Sequence, residues 1–256
     1  MGVTPVKEHI FIAIPTLGWT TSSITGALPQ IEAASHHPES RFRFTYEITS
    51  EARPADYARN VLVKKFLASD AERLFFIDSD ILPPENILEL LKVNADIVAG
   101  LIPIWQEAGP SLTAYRYDPP MRKWKNTYDS AESVRFVDGA ATAAMLIRRE
   151  VLADARLRYG MEYADFDGSI QALADHEPLP IFREVRKPNG QLAATEDLDF
   201  CYRAKALGYS VAVHHGVVCG HVKELNLLRV MDWAAGRFEE MCAEQPSVTE
   251  PVATPA

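Results

Sequence analysis

Two carboxylates separated by one residue follow a short apolar run in this chain. Leu74–Ile77 leads directly into Asp78, Ser79 and Asp80. Ligands of open parallel sheets bind beyond the carboxyl ends of the strands, where two carboxylates can serve a ribose hydroxyl and a hard divalent cation. Such a cation can bridge a diphosphate and stabilise it as a leaving group. The alternative interpretation is a polar turn that caps the next helix.

A second group of acidic residues begins a predicted helix. Glu196, Asp197 and Asp199 follow Thr195, which is a suitable N-cap. Acidic side chains in a first turn stabilise a helix by about 0.3–1 kcal/mol each, so a structural role is enough to explain them. The other interpretation is that one of them is a general base, and this segment alone does not decide between the two.

A late histidine is the candidate partner of the first group. His221 follows Gly220 beyond the last predicted strand, where it could complete a metal site begun by Asp80. A neutral imidazole suits Mn²⁺ better than Mg²⁺, which prefers oxygen ligands. The alternative is a structural histidine, which is the commoner role of a lone imidazole.

The elements that must position these residues alternate along the first part of the chain. Apolar or alternating runs predict strands, and amphipathic stretches between them predict helices. Their β-α-β-α-β-α-β order predicts an α/β fold whose mostly parallel sheet carries helices on both faces. The strands are expected at Ile10–Ile14, Arg41–Ile48, Leu74–Ile77 and Asp96–Gly100, and the helices at Thr20–Ala34, Pro54–Ala68 and Pro83–Val93.

The second part of the chain is less regular. Trp105–Arg135 is typical of loops with short strands, and Tyr159–Asn189 predicts a polar excursion of the kind that carries specificity. Further strands are expected at Ala141–Ile147 and Ser210–His214, and further helices at Thr195–Leu207, which Gly208 ends, and at Glu224–Cys242.

The composition is that of a globular protein. Its 256 residues, 47% hydrophobic and 24% charged, suit one α/β domain. The net charge of −9 argues against binding through nucleic-acid backbone charge. Three widely spaced cysteines argue against a disulfide framework, and no segment resembles a signal peptide or reaches the roughly 20 apolar residues of a membrane helix. We therefore expect a cytoplasmic protein without a transmembrane segment.

In their order along the chain, these segments resemble the GT-A fold glycosyltransferases, especially the family-2-like group. Each motif is common by itself, but the ordered set runs from about residue 9 to 222. The resemblance implies a GT-A (Rossmann-like) αβα sandwich with a mostly parallel central sheet. The matching segments are Ile12–Thr16, Ala58–Asn60, Phe76–Asp80, Asp138–Gly139 before an apolar strand that ends in Arg148–Arg149, Glu196–Phe200 and Gly220–His221.

On the donor side, the resemblance implies a site for a nucleotide-sugar, a UDP-sugar in the first instance. Asp78 would face the ribose, Asp80 would bind the metal, and Arg59 would approach the base or the diphosphate. Pro15 and Thr16 would line the nucleobase pocket. The implied donor-binding residues are Pro15, Thr16, Arg59, Asp78, Ser79 and Asp80, and the implied ligands of Mn²⁺ (or Mg²⁺) are Asp80, His221 and Asp78.

On the acceptor side, the resemblance implies an inverting transfer with a carboxylate base. Asp197 would be that base, with Glu196 as the alternative. Asp138 and Gly139 would contact the acceptor or the sugar. The excursion at Tyr159–Asn189 would be an acceptor-side flap.

The resemblance leaves several alternatives open. The chain lacks the QxxRW segment of processive polymerases, so one addition per cycle is expected. The acceptor could be a glycan, a small molecule or a modified nucleic-acid base, and the oligomeric state is not indicated. A retaining GT-A transferase, including one that acts on modified phage DNA bases, shares the strand, DxD and late-histidine layout. Outside the enzymes, the alternative is a nucleotide-sugar-binding or scaffolding protein without transfer activity.

One domain is expected over residues 1–243. Its donor-binding half would span about 9–104, its acceptor-side half about 105–223 and a C-terminal helix about 224–243. Residues 244–256 are rich in Pro, Ser, Thr and Ala and predict a disordered tail. Nucleotidyltransferases of similar fold usually carry a Gly-rich loop with an arginine after the first strand, and Pro15–Trp19 disfavours that class.

Overall fold

The structure is a computed structural model that describes residues 7–16, 28–29, 31–33, 35–37, 40–49, 54–106, 109–120, 123–127, 132–158 and 180–222. Within these ranges the α-helices are α1 (Ala55–Ala68), α2 (Arg149–Ala153) and α3 (Glu196–Ala206), with 3-10 helices at Ile87–Lys92 and Ala155–Arg158. Helical residues also occur at 28–29, 31–33 and 35–36. The strands are β1 (Glu8–Pro15), β2 (Phe42–Thr49), β3 (Arg73–Ile77), β4 (Ile81–Leu82), β5 (Ile97–Leu101), β6 (Pro103–Gln106), β7 (Gly109–Leu112), β8 (Ala114–Asp118), β9 (Lys123–Asn126), β10 (Val134–Phe136), β11 (Gly139–Ala140), β12 (Ala144–Arg148), β13 (Val185–Arg186), β14 (Leu192–Ala194), β15 (Val211–Val218) and β16 (Gly220–His221).

Seven strands form the central sheet in the order β10-β15-β5-β12-β3-β1-β2. The pairs β1–β2, β1–β3 and β5–β15 are parallel. Because β12 is antiparallel to both β3 and β5, and β10 to β15, five strands share one direction and two oppose it. The predicted α/β fold with a mostly parallel sheet is therefore confirmed. The direction of β12 could not be predicted, since a buried apolar run reads alike in both directions.

Both faces of the sheet are covered, as the runs of uninterrupted apolar strand residues predict. In β1, Phe11 and Ala13 face the side on which α1, α2 and α3 pack. Ile10 and Ile12 face the other side, against the 3-10 helix at Ile87–Lys92. The core is thus two layers of apolar side chains separated by one sheet.

The segment after Asp80 differs from the predicted helix at Pro83–Val93. Ile81 and Leu82 form β4 instead, and the helical part is the short 3-10 helix at Ile87–Lys92. Ile81 and Leu82 pair with Gly220 and His221 of β16, so the chain is extended here and the helical residues begin only at Ile87. Residues 17–27 of the predicted first helix, 159–179 of the excursion, and the predicted C-terminal helix and tail lie outside the described residues.

Two arginines connect distant parts of the chain. Arg149 donates to four carbonyls in and just after the last turn of α1, those of Phe66 (3.0 Å), Leu67 (3.3 Å), Ser69 (2.8 Å) and Ala71 (2.6 Å). Its guanidinium also lies 4.7 Å from the centre of the Phe66 ring. It therefore supplies additional donors to carbonyl groups at the end of a helix, where the regular helical hydrogen bonds end.

The second arginine, Arg203, is fully buried in α3. Its guanidinium contacts Asp199 one turn earlier at 2.7 Å. It also donates to the carbonyls of Leu157 and Ile181. The Arg203 side chain therefore links Leu157 to Ile181, two residues far apart in the sequence.

Two further expectations concern the cysteines and membrane helices. Cys201 and Cys219 are buried and are not joined in a disulfide, while Cys242 lies outside the described residues. Among the helices that the structure describes, none has the length and apolar character needed to cross a membrane.

Candidate active site

The predicted site residues gather at one edge of the central sheet, here called the carboxyl edge. β1, β3, β5 and β15 all end at this edge because they share a direction. β12 runs the other way, so it begins there. Helix α3 ends before β15 begins, and its first turn therefore lies at the carboxyl edge as well.

Asp80 and His221 meet through a two-residue strand pair. β4 begins at Ile81, directly after Asp80, and its pairing with β16 sets His221 opposite Ile81. The Val222 N–H donates to the Asp80 carbonyl at 2.9 Å. His221 Nε2 consequently lies 3.5 Å from Asp80 Oδ2. The structure thus brings together Asp80 and His221, two of the three residues expected to bind the metal, whereas the third, Asp78, pairs with Arg59.

Gly220 has a packing reason at this pair. A Cβ atom on Gly220 would lie 2.8 Å from Leu82 Cδ1 and 2.9 Å from Leu82 Cβ. These separations are shorter than carbon atoms tolerate. Glycine therefore allows β16 to approach β4 closely enough for His221 to reach Asp80.

The carboxylate–imidazole pair fits a divalent cation. Two atoms that each lie about 2.1 Å from one cation can be at most about 4.2 Å apart, and these two are 3.5 Å apart. The described residues contain no group of three or more His, Cys, Asp and Glu side chains arranged for a metal. A site with two protein ligands remains suitable for an ion whose other ligands are water and substrate phosphates.

Arg59 lies at the centre of the acidic group and is 5% exposed. Its Nη2 is 2.9 Å from Asp78 Oδ2 and 3.8 Å from Glu196 Oε1. Its Nε donates to Thr142 Oγ1 at 2.7 Å. One guanidinium therefore joins a residue after β3 to a residue at the start of α3.

Asp197 is the neighbour of Glu196 in the first turn of α3. Its Oδ1 accepts hydrogen bonds from the Thr195 hydroxyl and from the Leu198 N–H, the latter at 2.8 Å. Thr195 adopts the extended backbone of an N-cap, but its side chain donates to Asp197 and makes no capping bond. The predicted acidic first turn is thus present: Glu196 lies near Arg59, and Asp199 pairs with Arg183 and Arg203.

The charges in this group shift one another's pKa values. Burial raises the pKa of the Asp78 carboxyl, although Arg59 opposes the rise. Burial, followed by repulsion from Asp197, raises the pKa of Glu196, and burial raises that of Asp197. Burial alone would lower the pKa of Arg59, but these three carboxylates raise it above its usual value. Arg59 therefore stays charged, while the pKa values of the three carboxyls lie above their ordinary values.

Pro15 and Thr16 lie beside this group. β1 and β3 are neighbours that pair as far as Ala13 and Phe76, and Pro15 ends β1 while Asp78 follows β3, so both residues lie at the carboxyl edge. The Thr16 N–H donates to the Thr49 carbonyl at 3.0 Å, which continues the sheet by one residue. Ser79 lies in the turn between Asp78 and Asp80.

The structure does not bring Asp138 to the acidic group. Asp138 follows β10, which runs opposite to β15 and so ends at the other edge of the sheet. Its carboxylate contacts Lys205 and Arg116, and it accepts from the Tyr117 N–H at 2.9 Å. Lys205 comes eight residues after Asp197 in α3, a distance of about 12 Å along a helix.

Gly139 also has a packing role. A Cβ atom there would lie 2.7 Å from Leu198 Cδ2 and 2.9 Å from Trp124 Cζ3. Glycine therefore lets β11 pack closely against α3 and β9. This contact accounts for the glycine without a ligand.

Three residues at the site belong to none of the motifs found in the sequence. Thr142 contacts Arg59, and the Ala143 carbonyl accepts from the Asp78 N–H at 2.9 Å. Burial, followed by the charge of Asp197, raises the pKa of Tyr115 to about 12. Thr, Ala and Tyr are frequent in loops and strands, so only their three-dimensional position identifies them.

Comparison with known proteins finds similarity of backbone only. No protein-family model matches the chain, and no curated protein matches it. Among solved structures, A197 from STIV is 19% identical with a TM-score of 0.47, and the match covers 84% of this chain and 85% of that one. GalNAc-T7, solved with UDP, GalNAc and Mn²⁺, is 14% identical with a TM-score of 0.49, over 85% of this chain and 44% of that one.

A third similar structure is the inositol-1-phosphate CTP transferase from T. maritima. It is 10% identical with a TM-score of 0.42, and the match covers 93% of this chain and 98% of that one. At these identities and TM-scores the similarities support no conclusion about function. A proposal for the function must therefore be argued from the side chains at the carboxyl edge.

Proposed function

We propose that this protein is a metal-dependent glycosyltransferase of the GT-A type that moves one sugar from a UDP-sugar to an acceptor hydroxyl with inversion. The observation that carries the proposal is the meeting, at one sheet edge, of the Asp80–His221 pair with the acids around Arg59. The first pair suits a cation and a diphosphate, and Asp197 beside Glu196 suits proton transfer.

The donor is held by residues that follow β1 and β3. Asp78 Oδ2 is occupied by Arg59, whereas its Oδ1 is buried and has no hydrogen-bond partner among the described residues. A buried carboxylate oxygen of this kind is costly unless a donor group reaches it. A ribose hydroxyl supplies such a group, and Pro15 beside it supports a nucleobase contact.

The cation, Mn²⁺ or Mg²⁺, would be held by Asp80 and His221 together with donor phosphate oxygens. When bound, it would neutralise the diphosphate and stabilise it as a leaving group. His221 Nδ1 is buried and has no hydrogen-bond partner among the described residues. Its Nε2 is the nitrogen that faces Asp80.

Asp197 is the general base in this proposal. As the acceptor oxygen attacks the sugar carbon, its proton passes to the Asp197 carboxylate, and the electron pair of the broken bond leaves with UDP. The Thr195 hydroxyl and the Leu198 N–H hold Oδ1, so Oδ2 is the oxygen that accepts the proton. The raised pKa of this carboxyl brings it nearer to the value that suits a base at neutral pH.

The test of this proposal is nucleotide binding with and without metal. Calorimetry with UDP, GDP, CDP and dTDP should give binding to UDP that Mn²⁺ strengthens. Asp80→Ala should remove the effect of Mn²⁺, and Glu89→Ala, which removes an exposed acid paired with Lys92, should not. A screen of UDP-sugars for slow metal-dependent hydrolysis then tests the reaction.

Two outcomes would contradict the proposal. Unchanged UDP affinity of Asp80→Ala in the presence of Mn²⁺ would exclude the metal site. Tight metal-dependent binding without hydrolysis of any donor, and without transfer to any glycan, small-molecule or modified nucleic-acid acceptor, would favour a binding or scaffolding protein.

A further inference from the structure

The turn of Thr142 and Ala143 contacts both members of one ion pair. Thr142 Oγ1 accepts from Arg59 Nε at 2.7 Å. The next residue, Ala143, accepts from the Asp78 N–H at 2.9 Å through its carbonyl. The ion pair itself joins Arg59 Nη2 to Asp78 Oδ2 at 2.9 Å. A single turn before β12 therefore fixes the cation by its side chain and the anion by its backbone.

The bond to Nε determines where the rest of the guanidinium points. The guanidinium is planar, and its donors leave it in fixed directions. Once Nε is directed at Thr142, Nη2 is directed toward Asp78 and Glu196, at 2.9 and 3.8 Å. A guanidinium free to rotate about its last bonds would not hold both carboxylates.

The hydrogen bond between Arg59 Nε and Thr142 Oγ1 is buried, which makes its loss costly. Thr142 is 1% exposed and Arg59 is 5% exposed, so water does not readily replace a lost partner. A buried charged donor left without an acceptor carries its full desolvation penalty. The guanidinium would therefore turn toward another acceptor, and Asp78 would lose its fixed position.

We infer that Thr142 is a positioning residue, which acts through Arg59 to hold Asp78 in the orientation that receives a nucleoside diphosphate. The residue has no counterpart in the motifs that the sequence analysis singles out. The consequence for the nucleotide rests on the proposed function, whereas the consequence for Arg59 does not.

The experiment uses Thr142→Val, which keeps the shape of the side chain and removes the hydroxyl, and Thr142→Ser, which keeps the hydroxyl. Two measurements are made on each full-length variant. Nitrogen–hydrogen correlation spectra follow the Arg59 Nε–H signal, which Arg59→Lys identifies by its loss. Calorimetry measures the affinity for UDP with Mn²⁺.

In the parent protein, the Arg59 Nε–H is expected to exchange slowly with water. In Thr142→Val its exchange should be at least about tenfold faster, and UDP should bind about tenfold more weakly, since the lost bond is one to a charged group. Thr142→Ser should keep both values within about twofold of the parent. Thr142→Ala provides the same test if the valine variant does not fold.

Thr113→Val is the matched control. Thr113 is also buried, and its hydroxyl accepts from the Ile102 N–H at 3.0 Å. This variant should lose comparable stability while Arg59 exchange and UDP affinity stay at parent values. A general effect of removing a buried hydroxyl would instead change all three in both variants, and would overturn the inference.

The two proposals fail in different ways. If the parent binds no nucleoside diphosphate, the proposed function is wrong, and Arg59 exchange still decides whether Thr142 positions the guanidinium. If the parent binds UDP and Thr142→Val binds it equally well, the inference is overturned whatever the exchange rate.

Discussion

Asp197 is the residue on which the proposed transfer reaction depends most directly. In Asp197→Asn the amide oxygen can keep the bonds from Thr195 and Leu198, but the side chain cannot accept a proton. Transfer should therefore fall by about 10²–10⁴, the usual contribution of a general base, while UDP and Mn²⁺ bind as in the parent. Steady-state kinetics and calorimetry on the same preparation measure both effects.

Glu196→Gln is the matched comparison, since it removes the neighbouring carboxylate. It should lower transfer less than Asp197→Asn does. If Asp197→Asn kept more than about a tenth of the parent rate, contrary to the loss expected for a base, the role would move to Glu196. Full activity in both variants would favour a retaining mechanism without a carboxylate base.

The pH dependence gives an independent check on Asp197. Burial raises its pKa, although the Thr195 hydroxyl and the charge of Arg59 oppose the rise, so the transfer rate should fall on the acid side at a higher pH than for an ordinary aspartate. Between the pKa of the unfolded chain and the higher pKa of the folded protein, the Asp197 carboxyl is protonated only in the folded protein. The contribution of the protonated carboxyl to stability is therefore present at low pH and is lost as pH rises through the folded pKa. Near neutral pH, Asp197→Asn should thus be at least as stable as the parent.

At the residue scale, the sequence predicts the acids better than their partners. Each of Asp78, Asp80, Glu196 and His221 has an ordinary structural role when taken alone, but predicted strand ends and a predicted helix start bring them to one edge of a parallel sheet, where ligands bind. Arg59 is expected to contact the nucleotide, but the structure surrounds it with carboxylates instead. A contact between side chains far apart in the sequence has no local signature.

At the element scale, the short pair of β4 and β16 sets the separation of Asp80 and His221, the proposed metal ligands. Gly220→Ala would bring Cβ to 2.9 Å from Leu82 Cβ, and Leu82 cannot relieve this clash by changing rotamer because its Cβ is bound to the backbone. β16 should move, and His221 should leave Asp80. We expect Mn²⁺ to strengthen UDP binding in this variant at least about tenfold less than in the parent.

Gly216→Ala is the control for that variant. A Cβ atom on residue 216 would lie 3.2 Å from Cε1 of the His214 ring. That ring is the end of a side chain and can move by a few tenths of an ångström. Calorimetry should show the parent response to Mn²⁺. An unaltered response in Gly220→Ala would mean that His221 does not depend on the β4–β16 pair.

The elements themselves are largely predictable, and their exceptions have identifiable causes. The predicted bounds of β1, β2, β3 and α1 agree with the structure to within about two residues, because each lies in a clear apolar pattern. β4 and β16 are two residues long, which is too short for any periodicity. Their pairing depends on tertiary contacts that no segment of the sequence contains.

At the scale of the whole molecule, Arg149 should make a large contribution to stability. It donates to four carbonyls that follow or end α1, and a lysine could not reach all of them. Arg149→Lys should lower the free energy of unfolding by at least about 2 kcal/mol, since bonds to a charged group contribute about 1.5–3 kcal/mol each. Urea denaturation measures the change.

Arg148→Lys is the neighbouring control. Arg148 pairs with Glu150 at 3.6 Å and with Asn94 at 2.9 Å near the surface. Because such contacts contribute little, this variant should unfold within about 0.5 kcal/mol of the parent. Equal losses in both variants would show that the carbonyl contacts of Arg149 are not what stabilises the end of α1.

The hydrogen bonds from Arg203 to the carbonyls of Leu157 and Ile181 affect how the length of this chain can change during evolution. Leu157 and Ile181, which are 24 residues apart in the sequence, are tied to the same guanidinium. The entropy of closing a loop between fixed ends grows only slowly with its length. The number of residues between Leu157 and Ile181 can therefore change during evolution at little cost in stability, as long as Arg203 keeps both of these residues in place.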